Sequence, residues 1–352
     1  MSRADRLVAL LEERSLDWLL VTNLMNVRYL TGFSGTNGAC LVSRDERLFL
    51  TDFRYVERAR HEVREFERLE GGRDLLADLA ARLSGRAGFD DAHLSVRAHR
   101  RLEEKAGEGV ELVPAGGLVE RLREQKDEGE LQAMRAAARV ADAAYEEIRD
   151  QGLAGRTERE VAISMVRRME DLGAEGPSFP PIVAAGAHGA LPHAEARDVE
   201  IPAGALVVVD AGARVDGYCS DCTRTFATGQ LSGEAVEVYE LVLHAQHEAL
   251  AAARAGAERR EVDGVARGII DAAGHGERFG HGLGHGVGLE IHEDPRLTRM
   301  AEGTLSEGNT VTIEPGVYLP GSFGVRIEDL VAITADGPEV LTAFPKELVT
   351  AG

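Results

Sequence analysis

The chain has 352 residues, 44% hydrophobic and 28% charged, a globular composition with room for two domains. Sixty acidic against 40 basic residues give a net charge of −20, so non-specific binding to nucleic acid or anionic lipid is disfavoured. Residues 1–21 lack the uninterrupted apolar core of a signal peptide, no run approaches the roughly 20 apolar residues of a membrane span, and three cysteines do not make a disulfide framework. These features predict a cytoplasmic protein with neither nucleic acid nor membrane as partner.

Residues 3–15 read as an amphipathic helix with Leu7, Leu10 and Leu11 on one side. Short strands are predicted over 17–22, 26–30, 39–42 and 47–51, the middle two flanking a glycine-rich loop at 32–38. A helix follows over 52–66, then alternating elements with helices near 73–83 and 97–107. Residues 1–120 thus form an α/β domain without a cluster of ligand-type residues, whose role is packing and shaping access to a site elsewhere. The pattern shifts at the Pro-Ala-Gly-Gly of 114–117, and residues 121–352 form the second domain. It opens on a long charged helix over 118–150. Thr157 and Glu160 make a capping box for the next helix. A proline-rich stretch at 176–182, kept out of helix by its prolines, leads to His193.

The segment VVVDAGARVDGYCSDCTRTF, residues 207–226, reads as a hairpin turning at Asp216-Gly217, which brings Asp210 and Asp221 onto neighbouring strands. A second copy lies 104 positions later, where GNTVTIEPG at 308–316 matches GALVVVDAG at 204–212. In it Glu314 stands on the outgoing strand and Glu328 on the return. Upstream, Arg-Glu-Val begins a helical stretch at 159 and again at 260. The simplest account is a duplicated helix–hairpin unit whose halves face each other and pool four carboxylates. Such a set must be protonated, paired or metal-bound. Cys219 and Cys222, in a return strand rather than at a helix start, are packing residues. Between 275 and 292 fall His275, His281, His285 and His292, in a glycine-rich stretch. Imidazoles beside four acids suit two divalent ions such as Mn²⁺, Co²⁺ or Zn²⁺, whose charge neutralises the four carboxylates.

The ordered set Asp210, Asp221, His285, Glu314 and Glu328, within VVVDAG, GYCSDCTRTF, GHGLGHGVGLEIHE, TIEPGVY and VRIED, resembles the creatinase or pita-bread metallopeptidases. More narrowly it is similar to Xaa-Pro aminopeptidases and Xaa-Pro dipeptidases, and LTGFSGTNGACLV with LFLTDFRYVERA resembles their N-terminal domain. The resemblance implies an α+β fold, with a pita-bread catalytic domain behind an α/β creatinase-like domain. It implies two metal ions held by those five residues, with Asp221 and Glu328 bridging and Glu314 also the general base. It further implies that His193 and His292 face the scissile carbonyl, that Arg326 supports the ligands, and that His281 lines a proline pocket. The expected substrates are short peptides with proline at the second position, and the expected assembly is a homodimer.

Two enzymes fit. An aminopeptidase leaves the far side of proline open for a continuing chain, whereas a dipeptidase neutralises a terminal carboxylate there. Arg296 sits where some prolidases carry a carboxylate-binding arginine, but no loop in the sequence is long enough to seal the pocket. The expectation is therefore an Xaa-Pro aminopeptidase, with the dipeptidase as alternative. A metal-free binding module of the same fold is the reading from another class, and the intact ligand set speaks against it.

Overall fold

The computed structural model describes residues 1–72 and 74–352 and divides into two compact units, Met1–Arg123 and Glu124–Gly352. In the first unit the helix Arg3–Glu13 opens on a Ser2–Asp5 capping box and buries Leu7, Leu10 and Leu11. A six-stranded sheet follows, in the order Glu67–Glu70, Arg47–Thr51, Gly38–Ser43, Trp18–Val21, Arg86–Phe89, Glu111–Pro114. Its centre is antiparallel and its outer pairs are parallel.

Three expectations for this region need correction. Residues 26–30 are not a strand but part of the helix Leu24–Thr31. Val27 and Tyr29 alternate like strand residues, yet Asn23 caps the Met25 N–H at 2.8 Å and Gly32, at φ 80°, ends the helix. The helix expected over 52–66 shrinks to Val56–Glu62, because the Asp52 carboxylate accepts hydrogen bonds from the Arg54 backbone and guanidinium instead of starting a helix. The helix expected near 73–83 runs Leu75–Ala80, capped by Asp74, and position 73 lies outside the described residues.

The long helix expected over 118–150 is two, Leu118–Arg123 and Glu128–Gln151. The second begins where Asp127 and Glu130 form a capping box, a signal worth about 1 kcal/mol that the run of alanine and arginine obscures.

All strand pairings of the second unit are antiparallel. Helices Glu128–Gln151 and Glu158–Asp171 share one core with the strands Ile182–Ala185, Leu206–Asp210 and Thr223–Ala227, through Tyr145, Met165, Val207 and Phe226. Helices Gly233–Ala252 and Arg259–Ala272 share another with Thr310–Ile313 and Asp329–Thr334, through Tyr239, Val262, Val311 and Val331. These are the two halves that the internal repeat implies. They are stitched along one seam. The Glu328 N–H donates to the Thr223 carbonyl at 3.1 Å, and Thr223 Oγ1 donates to Glu328 Oε2 at 2.7 Å. Two residues away, Thr225 Oγ1 donates to the Arg326 carbonyl at 2.9 Å and accepts from its N–H at 3.1 Å. Among the described residues no helix is long and apolar enough to cross a membrane.

Candidate active site

The first hairpin turns where the sequence says it should. Asp216 and Gly217 both adopt positive φ, 49° and 82°, the combination that a two-residue hairpin turn requires. The strand Leu206–Asp210 sets Asp210 opposite Thr223, two positions from Asp221. In the other half Glu314 follows the strand Thr310–Ile313, and Glu328 directly precedes Asp329–Thr334. His285 is the middle residue of Gly284–Gly286. A Cβ at Gly284 would come within 1.9 Å of the Thr312 carbonyl oxygen, so only glycine lets this strand press against the one that leads to Glu314.

The five residues converge into a buried, frustrated cluster. Ligand-type atoms of Asp221, His285 and Glu328 all lie within 4.8 Å of one another. His285 Nε2 is 3.5 Å from Asp221 Oδ2 and 3.3 Å from Glu314 Oε1. These are not ordinary ion pairs. Burial lowers the His285 pKa to about 3, and its Nδ1 donates to the Gly286 carbonyl at 3.1 Å. The tautomer assigned by that bond turns the Nε2 lone pair toward the two carboxylates. Burial, then Glu328 and Asp210, pushes the Asp221 carboxyl well above its ordinary range; burial, then Glu314 and Asp210, does the same to Glu328. Burial raises Glu314 to about 7. Asp210 Oδ1 and Asp221 Oδ1 are buried without a hydrogen-bond partner. Acceptors facing acceptors with orphaned oxygens are what a divalent cation resolves, and a carboxylate-rich set with one imidazole fits hard or borderline ions.

Beside the cluster runs a polar chain. Arg326 donates to Asp210 Oδ2 at 2.7 Å, to Thr223 Oγ1 at 3.0 Å and to the Tyr318 hydroxyl at 2.9 Å. That hydroxyl in turn donates to His281 Nε2 at 2.9 Å, while His281 Nδ1 donates to the Gly282 carbonyl at 2.8 Å. Burial lowers the His281 pKa to about 4, so the ring is neutral. The five clustered residues, Arg326 and His281 line one cavity of about 370 Å³, together with His193, His292 and Arg296. The His292 ring sits edge-on to His285 with centroids 4.4 Å apart. All ten residues to which the resemblance gives a ligand, catalytic or substrate-binding role therefore border the same space. His275 does not; it precedes a short 3₁₀ turn outside the lining. A second cavity of about 750 Å³ shares His193 and Ile182 with the first.

Three participants escaped sequence reasoning. Tyr318 links Arg326 to His281, Thr223 holds Glu328, and Thr312 Oγ1 donates to Glu314 Oε1 at 3.1 Å. Tyr318 and Thr223 lie inside the motifs TIEPGVY and TRTF; Thr223 pairs across the strands with Asp210, which was an available signal, whereas Tyr318 pairs with Gly324 and offered none. The two cysteines are buried thiols, and burial raises Cys219 to about 11, in keeping with packing rather than redox chemistry.

Two duplicated halves meeting over a carboxylate–imidazole cluster, in a chain that also carries an α/β unit, define a pita-bread metallopeptidase architecture. The chain belongs to metallopeptidase family M24, which matches residues 132–335, and residues 3–125 match the creatinase/prolidase N-terminal domain. It is 38% identical over 356 residues to the Xaa-Pro dipeptidase of Pyrococcus furiosus, covering 99% of both chains. Among solved structures it is similar to the Xaa-Pro dipeptidase from Bacillus anthracis, with a TM-score of 0.96, 39% identity and 99% of each chain covered. It is also similar to the X-Pro aminopeptidase from Thermotoga maritima, with a TM-score of 0.91, 36% identity, 99% of this chain and 100% of the other.

Proposed function

We propose that the protein is a metal-dependent exopeptidase that hydrolyses the bond between an N-terminal residue and proline, using two divalent ions held by Asp210, Asp221, His285, Glu314 and Glu328. The observation that carries this reading is the set of inward-facing acceptors with orphaned oxygens at Asp210 and Asp221, in a cavity whose lining also holds the uncharged His281 ring. When bound, Mn²⁺, Co²⁺ or Zn²⁺ supplies an activated water and polarises the carbonyl. The chain does the rest. Asp221 and Glu328, which approach from opposite halves, would be ligands to the ions from either side of the seam. Glu314, steadied by Thr312, takes up the proton at its carboxylate and passes it to the departing proline nitrogen. His193 and His292 stand on the cavity wall, where their ring N–H groups donate to the carbonyl and the oxyanion that develops from it. Arg326 fixes Asp210 and orders the Tyr318–His281 pair that forms the proline slot.

Arg296 shapes the substrate. It lies in the wall of this cavity, and no carboxylate of the described residues pairs with it. An unpaired guanidinium near a proline slot suits the free carboxylate of an Xaa-Pro dipeptide, bound through two parallel hydrogen bonds. The names of the Pyrococcus furiosus and Bacillus anthracis relatives accord with that substrate. The second reading is the aminopeptidase favoured by sequence alone. The larger cavity beyond His193 supports it, because a chain longer than two residues needs somewhere to go. Comparing kcat/KM on Xaa-Pro and Xaa-Pro-Yaa peptides, with each metal supplied in turn, tests both. Dipeptide preference is the expected outcome; faster cleavage of tripeptides moves the assignment to aminopeptidase, and no cleavage of either with any metal refutes the peptidase reading.

A further inference from the structure

Glu158 is a buried carboxylate that the reaction above does not use. It opens the helix Glu158–Asp171, yet it serves that helix little. The cap is already complete, since Thr157 Oγ1 accepts from the Glu160 N–H at 3.1 Å and the Glu160 carboxylate accepts from the Thr157 N–H at 2.8 Å. The Glu158 oxygens instead reach across to a different segment. One end of that segment is held through the Ala185 N–H at 3.0 Å and His188 Nδ1 at 3.0 Å. The other end is held through the Arg197 N–H at 3.1 Å and two Arg197 guanidinium donors at 3.0 Å each. A single carboxylate, 1% exposed, thus ties together the two ends of the loop 186–196, which are anchored outside it by the pairing of Ala185 with Val207 and by the Arg159 N–H donating to the Arg197 carbonyl at 3.0 Å.

His193 sits in that loop. On its inner side the loop is touched by Arg326, which donates to the Pro192 carbonyl at 3.2 Å. On its outer side Ala194 and Ala196 border the second cavity. The turn Gly186–Ala190 presses against the strand Phe323–Arg326, where the Gly189 carbonyl leaves no room for a Cβ on Gly324, but from 191 on Leu191, His193 and Glu195 are exposed, and segments with few buried contacts open locally at low cost. The hydrogen bonds to Glu158 replace that packing. A misplacement of about 1 Å in a group that meets the substrate can cost about 10²-fold in rate.

We propose that Glu158 is the positioning residue for His193, tethering both ends of the 186–196 loop so that the imidazole is held over the scissile carbonyl. The proposal rests on the role assigned to His193 above. It is tested by a double-mutant cycle on the metal-loaded full-length enzyme, with Glu158→Gln and His193→Ala alone and combined, alongside amide hydrogen exchange and metal content. Glu158→Gln is expected to lower kcat by tenfold or more with KM changed less than threefold and metal content unchanged. In the His193→Ala background it should cost less than twofold. Exchange should quicken within 186–196 but not in the strand Leu206–Asp210. Arg197→Ala, which removes only the guanidinium tethers of a half-exposed side chain, should reproduce the pattern at smaller size and covers the case in which Glu158→Gln does not fold. Equal fold-losses in both backgrounds, or unchanged exchange in 186–196, overturn the proposal while leaving His193 its role. Full activity of His193→Ala alone removes that role and the proposal with it.

Discussion

Behind Glu328 lies a buried charge network whose removal has a calculable cost. The Asp329 carboxylate is fully buried and accepts from Arg224 at 2.8 Å, Thr342 at 3.0 Å, Gln246 at 3.0 Å and Lys346 at 2.7 Å. Arg224 spends its other donors on the Phe344, Pro345, Thr223 and Glu328 carbonyls. In Asp329→Ala these carbonyls still receive hydrogen bonds, but two cations, Arg224 at 3% and Lys346 at 17% exposure, lose their counter-charge. Breaking a buried pair in this way costs about 3–5 kcal/mol. In a unit of this size each kcal/mol moves Tm by about 2–4 °C, so a fall of about 6–20 °C is expected. Calorimetry should be run with a chelator, because bound metal adds its own stabilisation. Asp150→Ala is the control; its pair with Arg149 lies at the surface, where solvent screens it and little stability is at stake. The pH dependence adds a second check. Burial raises the Asp329 carboxyl, but Arg224 and Lys346 outweigh it and hold it below the ordinary 3.8. A depressed carboxylate contributes stability that is complete above its unfolded pKa and is lost as pH falls through the folded one. The gap between wild type and Asp329→Ala should therefore be constant from about pH 5 to 8 and narrow only below about pH 4. A Tm within about 2 °C of the Asp150→Ala control would refute the argument.

Asp221→Asn removes one carboxylate from a cluster of four, so it should raise Tm of the metal-free protein while cutting activity by more than about 10²-fold; calorimetry and turnover on the same sample decide. His193→Ala and His292→Ala should each lose about 10²–10³ in kcat with metal content intact, and loss of the ions from the purified variants would make these residues ligands instead. Arg296→Ala should reduce kcat/KM on dipeptides more than on tripeptides. A charge-assisted bond of about 1.5–3 kcal/mol moves the ratio tenfold or more, and an unchanged ratio removes Arg296 from the proline carboxylate.

The repeat was the legible part. An acid after an apolar run and before glycine, twice, with a return acid each time, foretold two hairpins and their convergence, because strand period and turn residues are local signals. Local signals also misled. Val27 and Tyr29 alternate as a strand would, and only the Asn23 cap and Gly32 together show that the segment is a helix. The break before Glu128 was hidden because Asp127 looks like one more charge in a charged run. Tyr318 was out of reach for a different reason. Its function comes from standing between Arg326, brought near by pairing across a hairpin, and His281, which arrives from a loop 37 positions earlier. The aromatic side chain alone gives no hint of which of its neighbours will be polar.

The seam between Thr223 and Glu328 also sets a timetable for the growing chain. The two residues are 105 positions apart, and the ribosome adds about 5–20 residues per second. For roughly 5–20 s the first hairpin is outside the exit tunnel with Asp210 and Asp221 but without the second pair of acids. An ion arriving early in that interval meets two of the five proposed ligands, and the count rises only as His285 and Glu314 emerge. For the five-residue site proposed above, loading at full affinity waits until the second hairpin has docked, so capture of metal there follows the making and joining of both halves.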